Sequence, residues 1–239
     1  MRIVGARRSS YSVPSILATD FQRTRRDDLA GCVVRAIALV ERPAEVDGQA
    51  PMLTLRELVE DPAGGEPVIT VVEARGDEER TSRWRTVATR FEDAATFFPV
   101  LHEPEIWRLI NLTEDTHPIH VHLDSFQVLG RHPAVVALAL GGITPTGTSA
   151  TVHMGLHIDD RIFHALDDNE LGLKDTVRVN PNEVVDIAVR FESYAGRYMY
   201  HCHILEHEDR DMMRPFVIMP GELIPFMGMD MPSGHSASR

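Results

Sequence analysis

The sequence is poor in cysteine, in long apolar runs and, over its first hundred residues, in histidine. Only Cys32 and Cys202 occur in 239 residues, so a disulfide framework is excluded and at most one bridge is conceivable. No run of about 18 apolar residues exists, and none therefore reads as a membrane-spanning helix. Arg7-Arg8 near the beginning lacks the apolar stretch that a secretory or twin-arginine signal needs afterwards, which leaves the cytoplasm as the default expectation. Basic side chains are the minority charge, 24 against 36 acidic, for a formal net charge of -12. That balance argues against sequence-independent nucleic-acid binding, which needs a basic surface. Small molecules or other proteins are the expected partners.

What is present is enough apolar material, 43% of residues, to fill a buried core. The patterning predicts short strands at Val33–Glu41, Val68–Glu73, Glu105–Leu112, Val121–Leu129, Val184–Phe191, Arg197–His201 and Pro215–Met219. Turns at Asp61-Pro62 and Asn180-Pro181 punctuate them. Short strands between turns indicate an all-β antiparallel sandwich or barrel. Gly76–Arg85 reads as a charged, solvated connection, and Pro133–Asn169 as a long excursion of no evident structure. Residues 1–32 form an Arg-rich irregular lead-in, 33–220 the body, and 221–239 a tail with Met227, Met229 and Met231 that is expected to be disordered.

Six of the twelve histidines fall in two short clusters, His117-Pro-Ile-His120-Val-His122 and His201-Cys202-His203 followed by His207. On an extended strand successive side chains alternate faces, so His120 shares a face with His122, and His201 with His203. Cys202 then points the other way, and the odd spacing from His120 sends His117 there too. Parity thus sorts two groups. His117 and Cys202, joined by His207 and Met212, offer two imidazoles, a thiolate and a distant thioether, the donor set of a blue-copper electron-transfer centre. The other group is four imidazoles without sulfur. Met212 also fits as core filler, with Met213 the other axial candidate. A dinuclear zinc hydrolase motif is set aside because Ser125 stands where it needs a further histidine. Cys32 reads as a small core hydrophobe. The methionines of the tail, if not simply disordered, are soft donors suited to Cu(I).

These segments, EIWRLINLTEDTHPIHVHLDSFQVLGR (105–131), KDTVRVNPNEVV (174–185) and GRYMYHCHILEHEDRDMMRPFVIMP (196–220), resemble the C-terminal cupredoxin domain of bacterial multicopper oxidases, the group of spore-coat laccase, bilirubin oxidase and phenoxazinone synthase. The resemblance implies a cupredoxin-like Greek-key β-sandwich or barrel, preceded by the end of a middle domain. It implies that His117, Cys202, His207 and Met212 hold type 1 copper, that His120 is a type 2 ligand, and that His122, His201 and His203 are type 3 ligands. Cys202 would carry electrons inward from phenolic or similar donors, for reduction of dioxygen. Glu208 matches an acid tied to proton delivery, although it also reads as one exposed acid in the run from Glu206 to Asp211. Leu173 stands where relatives often carry Trp.

A complete three-copper cluster in this family takes eight histidines, half of them from an N-terminal domain. This sequence has none before His102 and no further His-x-His pair; His153 and His157 are spaced as on a helix. The type 1 site is therefore fully encoded and the type 2 and type 3 sites half encoded. The expectation is an oxidase part that needs an N-terminal domain or partner chain, and the alternative is a single-domain cupredoxin that carries electrons without oxidase activity.

Overall fold

The computed structural model describes residues 20–42, 52–61, 69–75, 77–140, 152–159 and 161–226. Twelve strands occur among them: β1 (Val33–Arg42), β2 (Met52–Glu60), β3 (Ile69–Arg75), β4 (Glu78–Ala88), β5 (Pro104–Asn111), β6 (His117–Val121), β7 (Gln127–Leu140), β8 (Val152–Asp159), β9 (Thr176–Val179), β10 (Glu183–Arg190), β11 (Gly196–Cys202) and β12 (Met213–Ile218). One turn of helix, α1 (Leu205–Glu208), joins β11 to β12. No helix among the described residues is long and apolar enough to cross a membrane.

Eight strands close into a barrel in the order β1-β2-β4-β3-β8-β7-β10-β5, and the other four form a sheet in the order β12-β11-β6-β9. Neighbours distant in sequence, such as β6 beside β9 and β11, give the crossovers of a Greek-key arrangement, so the all-β cupredoxin-like expectation holds. The pairing is not wholly antiparallel: β1 runs parallel to β5, and β3 to β8.

The barrel wall formed by β1, β5 and β10 is buried on both faces. Ile37, Leu39, Trp107, Leu109, Val185 and Ile187 point toward the four-stranded sheet and pack on Ile119, Val177, Tyr200 and Phe216. The alternate residues Ala36, Ala38, Ile110 and Val184 point into the barrel, against Leu58, Val71, Leu156 and Ile158. Continuous apolar strands are the expected signature of a sheet covered on both sides. The barrel interior also holds charge: Arg108 makes two hydrogen bonds to Asp186, at 2.8 and 3.0 Å, and another to Glu73. Burial alone would raise the Asp186 carboxyl, but Arg108 and then Arg26 outweigh it and hold the group well below the usual carboxylate range.

Several local expectations are corrected. Gly76–Arg85 is not merely a solvated connection: most of it belongs to β4, whose charged residues line an outer face while Ser82 and Ala88 are buried. The excursion from Pro133 continues β7 to Leu140 and returns as β8, because the run Val135-Val136-Ala137-Leu138 favours strand beyond the proline. His153 and His157 accordingly sit on a strand. The stretch Val121–Leu129 is broken after Val121, the last residue of β6; beyond it Leu123 takes φ 85° and Asp124 accepts N–H bonds from Glu192 and Ser193. Cys32 is half-buried just ahead of β1 instead of on it. Gly221–Phe226, at the start of the tail, forms a 3-10 helix that packs Ile224 on Val100 and Met219. The methionines at 227–231 and the lead-in up to residue 19 lie outside the described residues.

Candidate metal centre

Strands β6 and β11 lie side by side and antiparallel, with His201 opposite His120 and Cys202 opposite Ile119. Along β6 burial alternates, with His117, Ile119 and Val121 buried and Pro118 and His120 half-buried. The pleat therefore sends His117 and Cys202 into the sandwich core and His120 and His201 to the opposite side.

On the core side, the Cys202 Sγ lies 3.7 Å from His117 Nδ1 and 3.6 Å from His207 Nδ1. All three donor atoms fall within 4.8 Å of one another. His207 is delivered by α1, whose compact turn is closed by its N–H to the Ile204 carbonyl at 2.9 Å. Met212 is fully buried in the same core. Its N–H donates to the His207 carbonyl, and its carbonyl accepts from the Cys202 N–H at 2.9 Å, so its backbone touches both ligand-bearing segments. Asp211, with φ 78°, makes the tight return that brings it there. Met213, half-buried, begins β12.

Burial pushes the His117 imidazole down to about 4, helped by His207 and opposed by Asp115. Burial pushes the Cys202 thiol up to about 11, against a hydrogen bond from the Ile204 N–H and with help from Glu208. An uncharged imidazole is ready to coordinate, whereas the thiol needs a cation to displace its proton. A soft sulfur and two imidazole nitrogens around one buried point fit copper.

On the other side, the donor atoms of His120, His122 and His201 also lie within 4.8 Å of one another. His122 Nε2 and His201 Nε2 are 3.1 Å apart. The exposed His203 ring lies 5.4 Å from His201 and 5.5 Å from His120 between ring centroids. His120 Nδ1 is 2.8 Å from the Asp175 carbonyl and His201 Nδ1 3.1 Å from that of Cys202. A carbonyl can only accept, so each Nδ1 carries the proton and each Nε2 is left as the free donor atom. Burial, then His120 and His201, lower the His122 imidazole. Glu208 Oε2 stands 3.3 Å from His201 Nδ1.

Thr113 and Asn111 escaped notice in the sequence. The Thr113 hydroxyl is 2.7 Å from His117 Nε2 and is itself bonded to Asn111. Asn111 falls within the strand expected over Glu105–Leu112 and Thr113 just past it, and nothing in their spacing pairs them with His117. A second unforeseen group is Glu57 of β2, which accepts from the Tyr200 hydroxyl at 2.8 Å and from Arg214 at 3.0 Å.

The multicopper oxidase family pattern matches residues 68–222. A laccase of Bacillus subtilis (strain 168) is 43% identical over 131 residues, which make up 54% of this chain and 23% of the relative. A laccase of Haloferax volcanii is 42% identical over 127 residues, 53% of this chain and 17% of the relative. The multicopper oxidase structure from Pediococcus acidilactici is 28% identical with a TM-score of 0.41, over 77% of this chain and 29% of that one. The chain thus spans about a quarter or less of the length of these curated relatives. With the family pattern covering well over half of its residues and a buried sulfur and imidazole donor set inside the matched region, the chain belongs to the multicopper oxidase family.

Proposed function

We propose that this chain is the C-terminal, copper-holding part of a laccase-like oxidase. The carrying observation is the convergence of His117 Nδ1, Cys202 Sγ and His207 Nδ1 within 4.8 Å. In this reading His117, Cys202, His207 and Met212 hold a type 1 copper, His120 a type 2 copper, and His122, His201 and His203 the type 3 pair. Copper, when bound, supplies one-electron redox chemistry between an organic donor such as a phenol and dioxygen.

The residues divide the remaining work. His207 is half-buried while His117 is fully buried, so the His207 ring edge is where a donor makes electronic contact. Cys202 is bonded through the backbone to His201 and His203, whose rings lie on the opposite side of the strand, and this covalent path leads inward. Glu208 Oε2, 3.3 Å from His201 Nδ1, is within reach of the imidazole cluster, which supports a part in proton delivery. Four imidazoles are half of the family's set, so the complementary four come from another domain, of this polypeptide or of a partner chain.

Copper loading of the full chain is expected to give an intense blue thiolate-to-Cu(II) absorption that Cys202→Ser abolishes. Colour retained in that variant rejects the assignment. Oxygen uptake is expected only once a domain carrying two His-x-His pairs is added. One copper per chain with no uptake in that mixture would favour the electron carrier instead.

A further inference from the structure

Behind His117 stands a hydrogen-bonded ladder that the reading above does not use. Asn111 closes β5 and is fully buried. Its Nδ2 donates to two backbone carbonyls, Asp115 at 2.7 Å and Val179 at 3.0 Å, and Val179 is the residue paired with His117 across β6 and β9. Only the nitrogen end of an amide can face two carbonyl oxygens, so the orientation of Asn111 is fixed. Its Oδ1 must point the other way. There it meets the Thr113 N–H at 2.9 Å and the Thr113 hydroxyl at 2.8 Å.

A hydroxyl owns one proton. Thr113 has two oxygen acceptors in reach, Asn111 Oδ1 and, at 3.2 Å, the Asp115 carbonyl. Two oxygens do not rest 2.8 Å apart without a proton between them, and the amide oxygen has none to give, so the hydroxyl proton is committed to Asn111, while the Asp115 N–H at 3.3 Å donates to the Thr113 oxygen. The 2.7 Å contact between Thr113 Oγ1 and His117 Nε2 is then a bond only if the imidazole donates. His117 therefore carries its proton on Nε2 and leaves a bare lone pair on Nδ1, the atom that faces the Cys202 sulfur at 3.7 Å.

We propose that Thr113, locked by Asn111, is a positioning residue of the copper centre, which fixes the tautomer and ring orientation of His117 so that Nδ1 is presented before any metal arrives. Outer groups that orient a ligating imidazole typically change metal affinity about 10–100-fold when removed. The inference rests on the copper reading of the site, but its first test needs no metal.

That test is the side-chain nitrogen and proton spectrum of His117 in the metal-free full chain. The expected result is a protected Nε2–H and an unprotonated Nδ1, and a proton on Nδ1 overturns the proposal whatever the variants do. Thr113→Val, which keeps the shape and removes the hydroxyl, is then compared with Thr113→Ser, which restores it. Val is expected to lose the protected proton and to bind copper about 10–100-fold more weakly in a chelator competition, with Ser close to wild type. Wild-type affinity and an unchanged imidazole spectrum in the Val variant overturn the proposal, as does equal weakening in Val and Ser, which would assign the effect to packing. Should the wild-type chain give no thiolate-to-copper band, the copper reading fails, while the metal-free spectrum still decides the tautomer.

Discussion

At the scale of single residues, burial sets the proton economy of the core-side site. A folded-state value of about 4 for His117 lies below the ordinary histidine value of about 6.5. The unfolded chain therefore binds the extra proton first as pH falls. Its contribution to stability is intact above about pH 6.5 and is lost progressively toward pH 4, on the order of 3 kcal/mol for such a gap. Urea unfolding of the metal-free chain at pH 7 and pH 4.5 should show this loss, and His117→Asn should flatten it. If Met212 is the fourth donor, its loss would disfavour the more highly charged oxidised copper over the reduced one. Met212→Leu should therefore raise the reduction potential of the loaded chain, whereas Met213→Leu should leave it in place. Equal shifts would reopen the choice between the two. Counting positions along a strand is enough to separate His117 and Cys202 from His120 and His201, because the pleat alternates. It could not reveal Thr113, since a hydroxyl in a polar turn gains meaning only when folding brings an imidazole to it.

At the scale of elements, the strand that bears Cys202 is held by charge as well as by packing. Glu57 of β2 and Arg214 of β12 are both fully buried and paired at 3.0 Å, and the Tyr200 hydroxyl of β11 shares the same carboxylate. Arg214 also donates to the carbonyls of Arg90, Asp93 and Ala94, so it ties the segment before β5 to the four-stranded sheet. Arg214→Met leaves a buried carboxylate without its counter-charge and should cost about 3–5 kcal/mol. Arg214→Met combined with Glu57→Gln should unfold at higher urea than the single variant. Additive losses would mean that the pair is not coupled. These contacts span 157 positions in sequence and were invisible there, whereas the strands themselves were legible wherever turn residues framed an apolar run. The misreadings at β4 and β7 have one origin, that charged or proline-containing segments become strands when neighbours supply the pairing.

At the scale of the whole molecule, one barrel wall serves two interiors, and the interior away from the copper-binding side contains the Arg108–Asp186 pair. Asp186 is held below its ordinary value, so its stabilisation is present above about pH 4 and is lost as pH falls further. That window lies below the one assigned to His117, and Asp186→Asn should shrink the acid limb, to which Asp93, Asp124 and Glu170 also contribute, without altering the histidine limb. The fold class was readable because alternation, turns and the two histidine clusters all agreed. The doubly covered wall was not, because a strand buried on both faces has no polar side to mark its orientation.

The placement of Cys202 between His201 and His203 on a pleated strand carries one more consequence. For the donors on this strand, odd and even position decides which side each one serves. A single residue inserted between Tyr200 and Cys202 would turn the sulfur outward and an imidazole inward while leaving every ligand present. The reading frame of this strand is therefore a constraint that a list of the donor residues does not express.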